Sequence, residues 1–220
     1  IYRVYPVGAT LRKIPRLDRL DTAGLVAALD SPNGWQRDTA QRLLVHSGDK
    51  SAVAPLENIL AKAANPKSRL LGLGTLDGLN ALSPGLLAAA LADAHPAVRE
   101  HAVRLAESSL ARPPGETAGL QAALLKLVDD PSVRVRYQLA FTLGEWRDAR
   151  AGRALLKLAI KDAGDPRLQT AVMSSAVPHA RTLLDALFSE HPEQAPAQLL
   201  EQLVALAATL GDGRSIEPAL

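Results

Sequence analysis

The chain has 220 residues, 47% hydrophobic but only 3% aromatic, with 25 Lys and Arg against 23 Asp and Glu and no cysteine. The missing cysteines exclude disulfides, thiol catalysis, Cys-ligated metals and covalent haem attachment within these residues. A net charge of +2 with no run of five like charges gives no basis for nonspecific nucleic-acid binding. No stretch approaches the ~18 apolar residues of a membrane span, and a core of Leu, Ala and Val suits close helix packing better than a β-sandwich.

In chain order, Ile1-Tyr2-Arg3-Val4-Tyr5-Pro6-Val7 alternates apolar and polar residues and reads as one orphan β-strand. The chain begins at Ile1, shows no signal peptide and reads as a segment of something longer. Residues 8–20 read as a linker, so 1–20 is expected to close a preceding domain. Helical pairs then follow at 22–29 and 35–46, 51–63 and 66–80, 84–92 and 97–110, 116–128 and 132–146, 150–161 and 167–177, and 180–189 and 195–210. A further helix is expected to begin at 214–220. The corresponding repeats are 21–49, 50–82, 83–112, 113–147, 148–178, 179–211 and the start of a seventh at 212–220.

Two recurring markers support that division. The prolines 32, 66, 96, 131 and 166 are separated by 34, 30, 35 and 35 residues. They open segments such as His95-Pro96-Ala97-Val98-Arg99 and Asp130-Pro131-Ser132-Val133-Arg134. Proline is tolerated at the first helical position, where its missing N–H has no intrahelical partner, and Asn65, Asp130 and Asp165 before it can cap. The second marker is an aspartate at 49, 148 and 212, spaced 99 and 64 residues, about three and two of the same period. Within the second helices Val98, Ala102, Leu105, Ala106 and Val133, Tyr137, Ala140, Leu143 form one-sided stripes that a single hairpin cannot cover and stacked repeats can.

Those residues resemble the HEAT family of armadillo-type solenoids over about residues 21–220, with Gly144-Glu145-Trp146-Arg147-Asp148 similar to the turn of its phycobilisome-lyase-like variant. The first repeat departs by about two extra residues in Asn33-Gly34-Trp35-Gln36-Arg37. The resemblance implies an all-α right-handed superhelix of about six helical hairpins preceded by the orphan strand. A narrower resemblance runs from Ile1-Tyr2-Arg3-Val4 through Leu17-Asp18 to Leu43-Leu44, with Leu76-Asp77-Gly78-Leu79 fitting as well. It is similar to a junction in exported membrane-bound dehydrogenase-like proteins of planctomycetes and verrucomicrobia, in which a β-propeller precedes the HEAT segment and a cytochrome c domain follows. This implies an exported or periplasmic parent with haem only in a domain beyond these residues.

The candidate residues are mostly structural. Arg37, Arg69, Arg99 and Arg134 open second helices, and with Asp30, Asp93, Asp130 and Asp165 they are expected to form an inter-repeat ladder, since the guanidinium fork holds two acceptors at once. Asp129 is a further acidic candidate. The functional reading of the same arginines is an anion-binding stripe. On the ladder reading Arg134→Ala should destabilise more than Arg150→Ala. Trp35 and Trp146 either fill repeat junctions or line a concave face. His46, His95, His101, His179 and His191 show no metal spacing, His95 and His191 reading as turn residues. Asp129-Asp130 should point apart and cap, and Gly72 and Gly74 imply a close helix approach or a kink.

No catalytic, cofactor or metal motif is recognised. The expected function is a non-catalytic scaffold that binds a protein or flanking domains of its own chain, an interdomain spacer. The competing reading is a HEAT-like nucleic-acid-binding protein or DNA glycosylase or lyase acting through the concave face.

Overall fold

The computed structural model describes residues 4–10, 15–190 and 197–211. Among them there are twelve α-helices and no strand, arranged as six antiparallel pairs. The first helices of the pairs (layer A) are α1 (Thr22–Ala28), α3 (Val53–Lys62), α5 (Pro84–Ala90), α7 (Pro114–Lys126), α9 (Ala149–Lys161) and α11 (Ala180–Glu190). The second helices (layer B) are α2 (Gly34–Ser47), α4 (Pro66–Gly78), α6 (Pro96–Leu110), α8 (Val133–Glu145), α10 (Pro166–Ser174) and α12 (Ala197–Thr209). Residues 4–6 carry no regular structure, so the strand expected over 1–7 does not form in its described part, and Ile1, Tyr2 and Arg3 lie outside the described residues. A strand needs ladder partners, and none is present among the described residues. The helix expected to begin at 214–220 also lies outside them.

Each layer-B helix packs on the next, from α2 through α4, α6, α8 and α10 to α12. Such contact of each repeat with its neighbours makes an α-α superhelix. The core is continuous from Leu17 to Ala207, and its largest fully buried side chains are all leucines, among them Leu44, Leu73, Leu139 and Leu155. Leucine and alanine suffice because helices in adjacent pairs approach closely. A Cβ on Gly78 would stand 2.8 Å from Val45, and one on Gly144 would stand 2.7 Å from Ser175. Gly72 faces Ile59 of α3, and Gly74 lies between Gln41 of α2 and His101 of α6, so close approach accounts for this glycine pair.

The recurring aspartates cap. Asp49 accepts from Ser51 N at 2.9 Å and also from the Thr22 hydroxyl of α1, tying the start of α1 to the turn that leads into α3. Asp148 accepts from Arg150 N at 2.8 Å at the start of α9. Side chains can satisfy the free N–H groups of a helix start in this way. Asp212 lies outside the described residues.

Candidate protein-binding surface and the ladder that registers it

A ladder of arginines and aspartates runs along the starts of the layer-B helices. Arg69 donates from Nε and Nη2 to Asp93 at 2.7 and 2.8 Å. Arg99 does the same to Asp130 at 2.7 and 2.8 Å, and Arg136 to Asp162 at 2.8 and 2.5 Å. Each arginine also turns Nη1 back onto its own A–B loop, on Ala63 O at 2.7 Å, Asp93 O at 2.8 Å and Asp130 O at 2.7 Å. One guanidinium thus joins a loop to the carboxylate of the following loop and sets the register of adjacent repeats. Asp93 and Asp130 additionally accept the backbone N–H two residues on, from His95 and Ser132, at 2.7 and 2.8 Å.

These pairs are largely dry. The side chains of Arg99 and Asp130 are 11% and 2% exposed. Burial works against ionisation of Asp130, but the Arg99 guanidinium and the Ser132 N–H outweigh it and hold the carboxyl below its usual range. Asp93 is held low in the same way, burial again opposed by Arg69 and by the His95 N–H.

The ladder differs from the sequence expectation at four residues. Arg134 is not a member: its side chain is 74% exposed and meets Glu100 of α6 at 3.1 Å. The physical reason is where the helix begins. In α4 and α6 proline occupies the first turn after the N-caps Asn65 and His95, whereas α8 starts after Ser132, leaving Pro131 outside. The ladder position is the fourth residue after the N-cap, which is Arg69, Arg99 and Arg136. Counting from the proline instead selects Arg134. The same shift exposes Val133 and Tyr137, expected in the core stripe, and buries Val135 and Leu139. The doublet Val133-Arg134-Val135-Arg136 carries the motif twice, and in the buried copy, as in Val98-Arg99, the valine is in the core.

Arg37 occupies the ladder position of α2 and bonds Ser31 O at 2.6 Å. The corresponding acceptor in the next loop is Ala63, which has no carboxylate. Asp30 instead accepts from Asn65 at 3.4 Å and from the Ser68 hydroxyl. Asp165 caps α10 through Arg167 N and Leu168 N at 2.9 and 3.3 Å. The α10 ladder position is Gln169, which reaches Ala159 O and Asp162 O at 2.8 and 3.2 Å. Asp129 and Asp130 diverge, Asp129 pairing with Lys161 of α9 at 2.6 Å.

The remaining candidates divide between interior and surface. Trp35 is 65% exposed on α2, whereas Trp146 is 5% exposed and lies under the Arg150 guanidinium, 4.9 Å from the ring centroid. Only one of the two tryptophans thus reaches the surface, and Trp146 fills space in the interior. Arg150 also donates to Gln121 of α7 at 3.0 Å, so it is not the neutral reference that its exposure implies. His95 is the N-cap of α6, its Nδ1 accepting from Ala97 N at 3.2 Å. His179 is buried and donates from Nε2 to Leu143 O at 3.0 Å, while His46 is exposed. His191 lies outside the described residues.

The outward side of layer B bears a row of shallow hollows between consecutive helices. One is lined by Leu70, Ala97, His101 and Arg104, the next by Val133, Tyr137 and Arg167, and Glu100 and Arg134 belong to both. Two more lie beside Phe141 and Ser174 and between Met173 and Gln202. Tyr137 packs edge to face on Phe141, centroids 5.1 Å apart, which holds an exposed ring in place. Among the described residues no buried side-chain nitrogen or oxygen lacks a hydrogen-bond partner, no three His, Asp or Glu side chains gather as a metal site, and no helix is long and apolar enough to cross a membrane.

Repeated helical pairs, a layered core and a loop-to-loop ladder define an armadillo/HEAT-type α-solenoid. The family model for HEAT repeats matches residues 83–176, so the chain contains a HEAT-repeat segment. Its backbone is similar to computationally designed armadillo repeat proteins for modular peptide recognition, with a TM-score of 0.52 at 18% identity over 86% of this chain and 99% of that one. It is also similar to a designed armadillo repeat protein in complex with peptide (KR)4, with a TM-score of 0.51 at 17% identity over 86% and 99%. An engineered protein gives a TM-score of 0.51 at 14% identity over 88% and 98%. At these identities the likeness is one of fold. No curated protein matches the chain.

Proposed function

We propose that this chain is a non-catalytic scaffold whose layer-B face holds an extended segment of a partner protein or of a flanking domain. The row of hollows between consecutive layer-B helices, kept in register by the ladder below, carries this reading. An extended peptide rises about 3.3 Å per residue and neighbouring helices stand about 8–10 Å apart, so about three residues would pass each helix. Two similar solved proteins were designed for, or solved with, peptides. A photo-crosslinking residue at Tyr137 should label a bound partner while one at Ala89, exposed on layer A, should not. Labelling from Ala89 alone would end this reading.

Within it, the resemblance of the first residues to exported dehydrogenase-like proteins makes the chain an interdomain spacer that itself needs no cofactor, haem belonging to a following domain. The parent reading frame tests this finer role. A propeller before and a CxxCH motif after would support it, and a start and stop codon close to both ends would overturn it.

A further inference from the structure

The middle of the layer-B face is chemically uneven. The two hollows that share Glu100 and Arg134 form one trough across α4, α6, α8 and α10. Three arginines line it, Arg104, Arg134 and Arg167. Only Arg134 has a carboxylate in salt-bridge range, Glu100 at 3.1 Å. Neither Arg104 nor Arg167 has one among the described residues, and the contact of Arg104 is the His101 ring, Nη2 to Nδ1 at 3.4 Å. Burial and the neighbouring Arg104 push His101 down, so at neutral pH it is an uncharged neighbour.

The other acids nearby are Asp165, Glu107 and Asp77 of α4, which with Glu100 opposes the shift of His101. Asp165 is occupied as the α10 cap, and Glu107 accepts from Thr142 at 2.7 Å. Three arginines thus stand against two carboxylates, Glu100 and Asp165, in the lining of the trough, a small positive excess, and Arg104 and Arg167 are the arginines without a salt-bridge partner. Beside them stand Val133 and Tyr137, 42% and 40% exposed. Guanidiniums without an ion-pair partner next to a ring held in place recognise a carboxylate followed by an apolar side chain, since the guanidinium fork matches the carboxylate and the ring supplies area at low entropy cost.

We propose that this trough selects extended segments in which acidic residues alternate with apolar ones, the carboxylates lying against Arg104 and Arg167 and an apolar side chain on Tyr137. The inference rests on the peptide-holding reading above and adds its chemistry. The preference is opposite in charge to the (KR)4 peptide held by one of the similar solved proteins.

The experiment measures fluorescence anisotropy of the whole chain with short labelled peptides built of Glu-Ser-Leu triplets, and with the same peptides carrying Gln or Lys in place of Glu. The Glu peptide should bind about tenfold or more tightly than the Gln peptide, the Lys peptide should be weakest, and added salt should narrow the gap. Arg104→Glu with Arg167→Glu, both on exposed side chains, should invert that order without changing the melting temperature. Tyr137→Ser should weaken Glu and Gln peptides alike. Equal or tighter binding of the Gln or Lys peptide, lost on Tyr137→Ser, would overturn the acidic preference and leave the peptide-holding face standing. Binding of none of the three would overturn both.

Discussion

At the scale of single residues, the ladder separates arginines that look alike in the sequence. Removing Arg99 would leave the Asp130 carboxylate nearly buried without its cation, and breaking a buried pair in this way costs about 3–5 kcal/mol. Arg134→Ala removes an exposed pair, for which about 0–1 kcal/mol is expected. Urea unfolding of the two variants should therefore differ by several-fold in ΔΔG, and equal values would refute the ladder as drawn. Acid should act on the same pairs. Asp93 and Asp130 titrate lower in the folded chain than in the unfolded one, so their contribution is complete above the unfolded carboxylate pKa, about 4. It is lost as pH falls from there through the lowered folded values, and Arg99→Ala should flatten that part of the profile. His179 has the same sign for a different reason. Burial lowers its folded pKa, opposed by the Leu143 carbonyl and Asp148, so the unfolded chain takes up the proton first. Stability should fall as pH drops below about 6.5, and His179→Gln should remove that component.

At the scale of elements, the glycines separate contact from mere tolerance. A Cβ at Gly144 would meet Ser175 Cβ and Oγ at 2.7 Å and its Cα at 3.0 Å, where the backbone of the turn after α10 cannot retreat freely. Gly144→Ala should cost about 1–3 kcal/mol as overpacking. Gly119, on α7, has nothing within 4 Å of its Cβ position. Alanine there should stabilise by about 0.5–1 kcal/mol, because only the conformational penalty of glycine is removed. Thermal melts that move in the same direction for both variants would contradict this contrast. The starts and ends of most helices were legible because prolines, asparagines and aspartates mark caps locally. The start of α8 was not, because the doublet Val133-Arg134-Val135-Arg136 fits the motif in two frames, and only packing against α6 and α10 selects the second. At the same position of α10, Gln169 bonds two carbonyls of its own repeat, and a neutral residue there shows no charge pattern that marks the position.

At the scale of the whole molecule, the ladder is uneven along the stack. Ion pairs bridge α4 to the loop before α6, α6 to the loop before α8, and α8 to the loop before α10. Toward the N-terminal end Arg37 bonds Ser31 O and the next loop carries Ala63 at the carboxylate position, and at α10 the ladder position is the neutral Gln169. In a solenoid stability is approximately a sum of repeat and nearest-neighbour terms, so junctions can open separately. Hydrogen exchange should therefore be faster in α1 and α2 than in α6 and α8. Ala63→Asp should offer Arg37 the missing acceptor and slow exchange in α1 and α2. Unchanged exchange there would show that the ladder does not govern the opening of this end.

What the sequence by itself determined is the periodic part of this protein: all-α pairs with a period in the mid-thirties, a leucine-alanine core, and aspartate and proline punctuation at helix starts. Those properties are local, set by backbone sterics, capping and one-sided hydrophobicity, and each is read within a few residues. What only the tertiary structure decided is which arginine of a doublet joins the ladder, that Asp162 belongs to it, that Trp146 is buried while Trp35 is not, and that Arg104, Arg134 and Arg167 come to one trough. These depend on residues about thirty apart meeting across adjacent repeats, where a shift of two residues in one helix start turns a side chain from the core to the surface.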